Sequence, residues 1–365
     1  MSAAKSLGAP VPPGGTIGIL GGGQLGRMLA LAAARLGLKA HIYCDDPRAP
    51  AFQVSAAHTV GKFADQAALA AFARACDVVT LEFENVPAES VAHVAGLVPA
   101  YPSARALGLT QDRFDEKCFV QSIGLTTPRF AAVDSAQEAR ALFETFGRRA
   151  VLKTRRLGYD GKGQAKPTSG DEAAAAFAAF QNAPSIIEAF IDFDFEASVI
   201  AARGRDGSFA AYDPPENVHE QHILRRSVVP GRLTPRQSDD AKQIARRIAV
   251  ALNYVGVFAV ELFVLRDGSL LVNEIAPRVH NSGHWTIEAC AVSQFEQHVR
   301  AVAGWPLGDP ARHADAAMEN IIGEEANAWE SYARRAGALH LYGKGEARPG
   351  RKMGHFTQLS PLTRA

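Results

Sequence analysis

Two glutamates, Glu261 and Glu274, are spaced so that a β-hairpin would bring their carboxylates face to face. Apolar runs flank an Asp-Gly dipeptide at 267–268, and this pattern predicts a hairpin with a two-residue type I′ turn. In that register Leu265 faces Leu270, and Glu261 lies directly opposite Glu274. Like charges in this position destabilise a strand pair, so the pairing predicts a divalent cation between the carboxylates. Twist or solvent that separates the two acids is the alternative.

Polar side chains crowd into the eight residues that follow the hairpin. A buried-looking strand is followed at once by Arg278, His280, Asn281, Ser282, His284 and Trp285. Such crowding at the end of a strand is typical of a site rather than of a core. Arg278, with five fixed donors, is suited to holding a small anion. An ion pair between Arg278 and Glu274 is the plainer alternative.

A lysine and a glycine-rich loop form a second candidate site. The apolar strand 151–153 delivers Lys153, and the loop 158–164 carries Lys162 among three glycines. Lysines supply point charges and glycines let backbone amides approach closely, so the combination predicts a grip on a polyphosphate. The loop does not follow the P-loop pattern. Solvated surface lysines are the alternative.

A third candidate lies where an apolar strand runs into four acids, Glu188, Asp192, Asp194 and Glu196. A strand-to-linker segment of this kind can hydrogen-bond an adenine through backbone groups while a carboxylate binds the ribose hydroxyls. Acids solvated on a loop are the default alternative, and they are a better description of Asp192 and Asp194 than of Glu188 and Glu196.

A glycine-rich turn of G-x-G-x-x-G type, Gly21 to Gly26, joins the predicted strand Thr16–Leu20 to a predicted helix over 24–36. Backbone amides at such a helix start bind anions, often a dinucleotide pyrophosphate. Asp45 ends the next strand, about twenty residues on, where a dinucleotide site requires an acid. An NAD-dependent dehydrogenase is therefore one hypothesis. A ligand-free turn that allows close packing of helix and strand is another.

Alternating strand-like and helix-like segments over the first hundred residues predict a mostly parallel α/β sheet with helices on both faces. The predicted strands are Thr16–Leu20, Ala40–Cys44, Thr59-Val60, Val78–Leu81 and Leu97-Val98. A charged helix is expected to begin near Thr110 and to end at Gly124. From Ala150 onward short strands and hairpins dominate, broken by helices over 171–181 and 235–252. This second pattern, of short strands and hairpins with two helices, predicts an α+β arrangement.

Composition narrows the classes of function. A net charge of +1, from 39 basic and 38 acidic residues, gives no electrostatic footprint for nucleic acid or for a membrane surface. Four cysteines without metal-ligand spacing indicate reduced thiols in a cytoplasmic protein. Residues 1–15 are small and rich in proline and glycine, which predicts a disordered leader. No stretch approaches the ~20 apolar residues of a membrane span.

Together these motifs resemble the ATP-grasp superfamily, in which ATP lies between two α+β subdomains and activates a carboxylate as an acyl phosphate. Within it, five stretches resemble the 5-(carboxyamino)imidazole ribonucleotide synthases of de novo purine synthesis: GGGQLGRM, EFEN, RRLGYDGKGQ, NEIAPRVHNSGHWT and SQFEQH. The resemblance spans Ile17 to about His355, and HNSGHW is its most specific part. It implies ATP- and bicarbonate-dependent carboxylation of 5-aminoimidazole ribonucleotide, with release of ADP and phosphate.

The resemblance also implies roles for single residues. ATP contacts are expected at Arg113, Lys153, Gly158, Tyr159, Asp160, Gly161, Lys162, Gly163, Gln164, Glu188, Ala189, Phe190, Ile191, Glu196, His219, Asn273 and Glu274. Magnesium, with manganese as a substitute, would bind Glu261 and Glu274. The expected catalytic residues are Tyr159, Asp160, Arg278, His280 and Asn281. Many members of the superfamily have an asparagine ligand where this chain has Ala276. Asn273 is a possible replacement, but strict strand alternation points it away from Glu274.

The nucleotide substrate needs cations or helix-start amides for its phosphate. The resemblance places its binding site at Gly22, Gln24, Leu25, Glu82, Lys344, Arg351 and Lys352. The implied chemistry has two steps: bicarbonate attacks the γ-phosphorus to give carboxyphosphate, and the substrate amine then takes the carboxyl group or the CO₂ released from it. Asp160 would orient that amine or accept its proton. The resemblance also implies a homodimer.

The expected architecture is an ATP-grasp fold preceded by a Rossmann-like parallel sheet. Its predicted parts are a Rossmann-like domain over 16–110, small and large ATP-grasp subdomains over 111–185 and 186–305, and a small C-terminal β-rich domain over 306–365. A formate-dependent glycinamide ribonucleotide transformylase, or another ATP-grasp ligase, would share most ATP residues. A dehydrogenase leaves the hairpin and the lysine loop unexplained. A nucleotide-sensing module would bind ATP without turnover.

Overall fold

The computed structural model describes residues 8–147, 149–158 and 162–363 and folds them into three β-sheets with helices packed around them. Three residues of the predicted ATP loop, Tyr159, Asp160 and Gly161, lie outside the described residues. A large hydrophobic cluster joins the first sheet to the largest one. Among the described residues, no helix combines the length and the hydropathy that crossing a membrane requires.

The first hundred residues form the parallel sheet that the alternating pattern predicts. Its strands are β1 (Thr16–Leu20), β2 (Lys39–Cys44), β3 (Ala57–Val60) and β4 (Val78–Leu81), in the order β3-β2-β1-β4. The helices that follow are α1 (Gln24–Arg35), α2 (Gln66–Arg74), α3 (Ala88–Ala95), α4 (Ala104–Thr110) and α5 (Arg113–Ser122). The predicted strand Leu97-Val98 is wrong. Ala100 instead forms an isolated parallel bridge with Val79, because Pro99 lacks the N–H that a longer ladder needs.

A second, antiparallel sheet carries Lys153. Its strands are β5 (Phe130–Val133), β6 (Ala150–Thr154), β7 (Gln164–Ala165) and β8 (Ser185–Ala189), in the order β5-β8-β6-β7. The helices α6 (Ala136–Thr145) and α7 (Gly170–Ala179) pack on this sheet through Phe143 and Phe177. Each helix begins at a serine N-cap, Ser135 or Ser169, whose side chain accepts a backbone hydrogen bond in the first turn.

The largest sheet has nine strands and carries both glutamates of the hairpin. The strands are β9 (Phe195–Arg203), β10 (Phe209–Ala211), β11 (Glu216–Glu220), β12 (Ile223–Val229), β13 (Gly256–Val264), β14 (Leu270–Ala276), β15 (Asp315–Ile322), β16 (Ala338–Leu341) and β17 (Lys352–Ser360). Their order is β14-β13-β9-β11-β12-β15-β17-β16, and β10 pairs with β9. The remaining helices are α8 (Pro235–Ala251), α9 (Thr286–Ala289), α10 (Gln294–Ala303) and α11 (Trp329–Ala333). The C-terminal strands thus extend this sheet through β12 and form no sheet of their own.

Residues 8–15, which the composition assigns to a disordered leader, are held against the end of α10. Val11 is buried, its N–H donates to the carbonyl of Ala303 at 2.8 Å, and its own carbonyl accepts from the indole of Trp305 at 2.7 Å. The prediction of disorder is wrong for this stretch, because one apolar residue among prolines and glycines joins the hydrophobic cluster. Residues 1–7 lie outside the described part of the chain.

His298, on α10, connects the first sheet to the largest one through two hydrogen bonds. Its Nδ1 accepts from the N–H of Val257 on β13 at 3.0 Å, and a backbone N–H can only donate. The proton of the ring is therefore on Nε2, which donates to Thr80 Oγ1 on β4 at 2.7 Å. Burial lowers the pKa of His298 to about 4. The contact between the two sheets thus depends on a neutral imidazole.

Acid should weaken this contact. The unfolded chain takes up the proton near pH 6.5 and the native state only near 4, so the free energy of unfolding falls as the pH is lowered through that interval. His298→Gln retains one acceptor and one donor but does not titrate, and we expect it to reduce the acid-induced loss of unfolding free energy by about 1–3 kcal/mol. Urea unfolding at neutral and at acid pH measures the difference. The same pH dependence in both proteins would contradict the assignment.

Candidate functional site

The hairpin formed by β13 and β14 places Glu261 directly opposite Glu274, as predicted. Two irregularities in the hairpin produce this pairing, and they shift the register by one residue in opposite senses. The two carboxylates therefore face each other although the details of the hairpin differ from the prediction.

The first irregularity is the turn. Leu265, predicted to face Leu270, instead pairs with Ser269, and the N–H of Gly268 donates to the carbonyl of Leu265 at 2.9 Å. The turn thus has three residues, with Gly268 in the left-handed conformation at a φ of 87°. The predicted two-residue type I′ turn is wrong because the carboxylate of Asp267 accepts from the N–H of Ser269 at 2.9 Å and stabilises the longer loop.

The second irregularity is a β-bulge at Asn273, which has no partner on β13. Val272 and Ile275 both pack into one hydrophobic cluster, so the two residues between them, Asn273 and Glu274, both turn away from that core. The prediction that strand alternation separates these two side chains is therefore wrong. The Oδ1 of Asn273 is buried and has no hydrogen-bond partner among the described residues. An unpaired amide oxygen beside two carboxylates matches the oxygen ligands that Mg²⁺ prefers.

The electrostatics of the hairpin are those of two acids that share one site. Burial and the neighbouring carboxylate raise the pKa of Glu261 to about 7. The guanidinium of Arg113, 2.8 Å from Glu274, outweighs the effect of burial and lowers the pKa of Glu274. Glu116 is a third acid nearby: its Oε2 accepts from the N–H of Ile275 at 3.1 Å, and burial raises its pKa to about 8. A cation bound here would let the acids ionise together.

Two lysines flank Glu188, and the sequence analysis missed one of them. The Nζ of Lys153 donates to Glu188 Oε2 at 2.9 Å, and the Nζ of Lys117 lies 3.4 Å from Oε1. Their charges outweigh burial and lower the pKa of Glu188 to about 2. Lys117 is buried and also donates to the carbonyl of Asn273 at 2.9 Å. Glu188 therefore anchors two cations beside the hairpin.

The pattern of α5 contained a signal for Lys117. Asp112 caps this helix by accepting from the N–H of Phe114 at 3.0 Å, so the helix begins at Arg113. Arg113, Glu116 and Lys117 then lie three and four residues apart, which places them on one face. Glu116 and Lys117 are both buried. A wholly charged face that turns inward indicates a site, and Arg113 is the one residue of this face that the sequence predicted to bind ATP.

Arg113 links the hairpin to the glycine-rich loop. Its second guanidinium nitrogen, Nη2, donates to the carbonyl of Gly158 at 3.3 Å while Nη1 holds Glu274. At the other end of the loop, the carbonyl of Gly163 accepts from the N–H of Thr154 at 2.8 Å. A Cβ on Gly163 would lie 2.5 Å from Thr154 Oγ1, and its φ is +67°, so glycine is needed there.

On the side predicted for the adenosine, the Nδ1 of His219 lies 2.7 Å from Glu196 Oε2. The N–H groups of Ala189 and Phe190 donate to carbonyls of residues 129 and 149, at 2.8 and 3.1 Å. Purine contacts through amides of this segment would therefore fall at Ile191. In this segment Glu188 is thus held by two lysines, whereas Glu196 is paired with His219.

Arg278 forms an ion pair with Glu84, which the sequence analysis did not select. Its Nη2 donates to Glu84 Oε1 at 2.9 Å, and its Nε donates to the other carboxylate oxygen. The guanidinium outweighs burial and lowers the pKa of Glu84 to about 2. The alternative pairing of Arg278 with Glu274 is wrong. Since Glu84 follows β4, this ion pair connects the first sheet to the hairpin site.

His280 and Asn281 complete this pocket. The Nε2 of His280 lies 3.4 Å from Glu261 Oε1, and burial together with the charge of Arg278 lowers the pKa of His280 to about 3. The ring is therefore neutral. Both amide atoms of Asn281 are buried without a hydrogen-bond partner among the described residues. The pocket thus offers an arginine, a neutral imidazole and an unpaired amide, which together suit a small oxyanion.

Glu82 occupies the anion site of the glycine-rich turn. Its two carboxylate oxygens accept from the N–H groups of Gly23, at 2.7 Å, and Gly26, at 3.0 Å. A Cβ on Gly23 would lie 2.7 Å from Glu82 Oε1, so the turn needs glycine to admit this side chain. The hypothesis of an NAD-dependent dehydrogenase is wrong, because the amides that would bind a pyrophosphate hold a carboxylate instead.

The C-terminal lysines reach the same region. The charge of Lys344 acts on the carboxyl of Glu82, and the charge of Lys352 acts on His280. The residue before Lys344 is fixed to the short helical turn between β2 and β3 by Gln53, whose Nε2 donates to the carbonyl of residue 343 at 3.1 Å. The guanidinium of Arg351 donates instead to the carbonyl of residue 346 at 2.9 Å. The structure therefore brings together the glycine turn, Lys344 and Lys352, whereas Arg351 binds within its own turn.

Glu82→Gln should destabilise the protein. The amide nitrogen of glutamine cannot accept from a backbone N–H, so one of the two turn amides would lose its partner in a buried position. We expect the free energy of unfolding to fall by about 1–3 kcal/mol, measured by urea titration. Glu89→Gln, at an exposed glutamate of α3, is the matched control. If both variants were equally stable, Glu82 would not hold the turn.

Another cluster of potential metal ligands, Glu288, His340 and His355, lies between α9 and the C-terminal strands. The Nε2 of His340 lies 2.7 Å from Glu288 Oε1, which is a hydrogen bond. The two imidazole rings are nearly parallel, at 9°, with centroids 4.5 Å apart. Their in-plane lone pairs therefore run side by side and do not converge on one ion. We interpret this cluster as a hydrogen-bonded stack.

Three family models match successive parts of the chain. They are the ribonucleotide synthetase preATP-grasp domain over residues 15–111, the ATP-grasp domain over 118–295 and the phosphoribosylaminoimidazole carboxylase C-terminal domain over 316–363.

Similar proteins match this chain over nearly its full length. An N5-carboxyaminoimidazole ribonucleotide synthase of Brucella melitensis is 50% identical over 354 residues, which are 96% of this chain and 98% of that protein. A crystal structure of an ADP complex of N5-carboxyaminoimidazole ribonucleotide synthetase matches with a TM-score of 0.93 at 38% identity, over 96% of this chain and 94% of the other. The Aspergillus clavatus synthase, in complex with ADP and 5-aminoimidazole ribonucleotide, matches with a TM-score of 0.89 at 34% identity, over 96% and 94%.

Proposed function

Because this chain belongs to the N5-carboxyaminoimidazole ribonucleotide synthase family of ATP-grasp enzymes, it is a ligase that uses ATP to carboxylate 5-aminoimidazole ribonucleotide in purine biosynthesis, and we propose how its residues divide this work. The observation that carries the proposal is the arrangement of the hairpin. Glu261 and Glu274 face each other, and the pocket of Arg278, His280 and Asn281 lies immediately beyond them.

ATP would lie between the second sheet and the hairpin, with its phosphates at Lys153, Arg113 and the loop 158–164. Lys153, on β6, donates to Glu188, and Arg113, on α5, donates to Glu274. The ribose would bind at Glu196 and His219, and the purine at the backbone near Ile191. Lys117 would hold Glu188 and Asn273 in place under the phosphates.

Magnesium, or manganese in its place, would be held by Glu261, Glu274 and the unpaired Oδ1 of Asn273. Bound there, the ion would neutralise charge on the phosphates of ATP. This donor set fits because one of its acids has a pKa of about 7 without a cation, and because the amide oxygen has no hydrogen-bond partner in the described part of the chain. Ala276 then needs no ligand role, since the bulge supplies Asn273 from a different position.

Bicarbonate would bind at Arg278, His280 and Asn281. There it would displace or share the contact that Arg278 makes with Glu84 in this structure. One bicarbonate oxygen would attack the γ-phosphorus to give carboxyphosphate and ADP, while Arg113 and Lys153 stabilise the charge that develops on the transferred phosphoryl group. Asp160, on the loop, would orient the substrate amine or accept its proton as the carboxyl group is transferred.

The ribonucleotide phosphate would bind between the glycine turn and the C-terminal lysines. Gly22, Gln24 and Leu25 belong to the turn. Lys352, at the start of β17, and Lys344, on the loop before β17, approach this turn. Since Glu82 binds two amides of the turn, we assign it a positioning role and not a contact with the aminoimidazole. Arg351 would join this site only after it releases residue 346.

A cytoplasmic homodimer completes the proposal. The similar proteins are biosynthetic enzymes, and the cysteines Cys44, Cys76, Cys118 and Cys290 are all free thiols. Size-exclusion chromatography with light scattering would measure the oligomeric state, and a mass of one chain would contradict the dimer.

Release of ADP by the purified protein tests the proposed use of bicarbonate. With ATP and magnesium present, we expect release to require both 5-aminoimidazole ribonucleotide and bicarbonate. Stimulation by formate and glycinamide ribonucleotide would instead support the transformylase alternative. ATP binding without any substrate-stimulated release would support a nucleotide-sensing module.

A further inference from the structure

A chain of buried hydroxyl and amide groups begins at His280 and runs away from the pocket across three strands. The Nδ1 of His280 lies 2.8 Å from Ser282 Oγ, and this oxygen lies 2.7 Å from Ser198 Oγ on β9. Ser198 Oγ accepts from the Nδ2 of Asn217 on β11 at 2.9 Å, and Asn217 Oδ1 accepts from Ser227 Oγ on β12 at 2.7 Å. Ser198, Ser227 and Ser282 are fully buried, and Asn217 is 5% exposed.

The donors and acceptors along this chain have only one consistent direction. An amide nitrogen can only donate, so Ser198 accepts from Asn217. Ser198 is fully buried, and the Oγ of Ser282 is the other hydrogen-bond partner of its hydroxyl among the described residues, so its own proton is donated to Ser282. Ser282 in turn donates to the Nδ1 of His280. The backbone N–H of Ser282 also points to this nitrogen, at 3.4 Å, and a backbone N–H can only donate. Both observations leave Nδ1 without a proton.

We propose that Asn217 and Ser198 act as positioning residues which, through Ser282, fix the tautomer of His280 so that its Nε2–H always faces the anion pocket. The neutral ring then donates a hydrogen bond to an oxyanion held beside Arg278. In this structure the Nε2 of His280 lies 3.4 Å from Glu261 Oε1. The backbone of His280 is held separately, because its N–H donates to Gln294 Oε1 at 2.9 Å and its carbonyl accepts from Gln294 Nε2 at 2.6 Å. The side-chain direction and the backbone position are thus fixed by different residues.

This inference extends the proposed bicarbonate pocket and rests on it only for the identity of the anion. The tautomer itself is a property of the protein without substrate. It can therefore be measured even if the pocket binds a different anion.

The direct test is ¹⁵N NMR of histidine-labelled protein, with the His280 signal assigned by its loss in His280→Gln. A bare Nδ1 and a protonated Nε2 at neutral pH would support the proposal, and a protonated Nδ1 would overturn it. Asn217→Asp has almost the same shape, but both of its oxygens accept. It should draw the proton of Ser198 toward itself and reverse the chain, so that Nδ1 of His280 gains a proton. A bare Nδ1 in this variant would overturn the role of Asn217.

Kinetics distinguish positioning from a general effect on the fold. Asn217→Asp should lower kcat/KM for bicarbonate by about 10- to 100-fold, the effect of losing one charge-assisted hydrogen bond, while KM for ATP stays the same. An equal loss for ATP and bicarbonate would contradict positioning. If Asn217→Asp does not fold, Ser198→Ala breaks the same chain of hydrogen bonds with a smaller change. This variant should show a mixture of both His280 tautomers. A single His280 tautomer in Ser198→Ala would overturn the proposal. Ser185→Ala, at a fully buried serine of β8 that donates to residue 183, is the control and should change neither the ring nor the kinetics.

Discussion

Glu274→Gln should lower kcat by about 10²–10³-fold or more, which is the scale of losing a charge that acts on the transition state. The substitution removes one of the two facing carboxylates and the partner of Arg113 at 2.8 Å. Since the proposed magnesium site depends on both acids, nucleotide binding should also become less dependent on magnesium. ADP release and ATP binding, each measured over a range of magnesium concentrations, test the two expectations.

The control for this variant is Glu172→Gln on α7, which changes an exposed carboxylate hydrogen-bonded to Thr168. It should behave like the unchanged protein. Near-normal turnover of Glu274→Gln would refute the paired-carboxylate site. A loss of turnover with unchanged magnesium dependence would keep Glu274 in catalysis but remove it as a metal ligand.

Arg278→Lys should lower kcat/KM for bicarbonate by about 10- to 100-fold, because lysine keeps the charge but cannot form two parallel hydrogen bonds. In this structure Arg278 holds both oxygens of the Glu84 carboxylate, which is itself a planar, two-oxygen group. Bicarbonate is such a group. KM for ATP should change little, since the hydrogen bonds of Arg278 in this structure go to Glu84 and to the carbonyl of Val279, neither of which is assigned to ATP.

Titration of bicarbonate at saturating ATP and 5-aminoimidazole ribonucleotide measures this effect. Arg232→Lys is the matched control, because Arg232 also holds a carboxylate, that of Glu216, but at an exposed position. Equal rates for Arg278→Lys and the unchanged protein at low bicarbonate would show that the anion binds elsewhere.

Elements with a clear period and clear boundaries could be predicted from the sequence. β1 and β4 have their predicted ends, and the helix predicted over 235–252 is α8. In these segments, local propensity, apolar pattern and flanking turn residues all favour the same structure. Leu97-Val98 is a counterexample, because neighbouring prolines prevent the strand that its apolar residues favour.

In the hairpin, the pairing of Glu261 with Glu274 is as predicted, but the turn that leads to it is not. The facing of Glu261 and Glu274 was predicted from a two-residue turn, whereas the chain has a three-residue turn and a compensating bulge at Asn273. Neither irregularity is visible in the alternation of apolar residues. At the bulge, the carbonyl of Asn273 accepts from Lys117, which lies on a helix 156 residues away in the chain.

Partners that lie far apart in the sequence are the main part that could not be predicted. Arg278 and Glu84 are separated by 194 residues, and Glu82 and Gly23 by 59. The packing of the first sheet against the largest one brings Arg278 to Glu84, and the pairing of β1 with β4 within the first sheet brings Glu82 to the glycine turn. The residues of the candidate site could be selected by type and spacing, but the choice of partner for each charge required the fold.

Transfer of oxygen from bicarbonate to phosphate is the most direct test of the proposed chemistry. The purified protein would be given ATP, magnesium, 5-aminoimidazole ribonucleotide and ¹⁸O-labelled bicarbonate, and the phosphate product analysed by mass spectrometry. If a bicarbonate oxygen attacks the γ-phosphorus, the released phosphate carries one ¹⁸O atom. Phosphate that contains no label, formed while the ribonucleotide is carboxylated, would show that bicarbonate is not phosphorylated and would contradict the account.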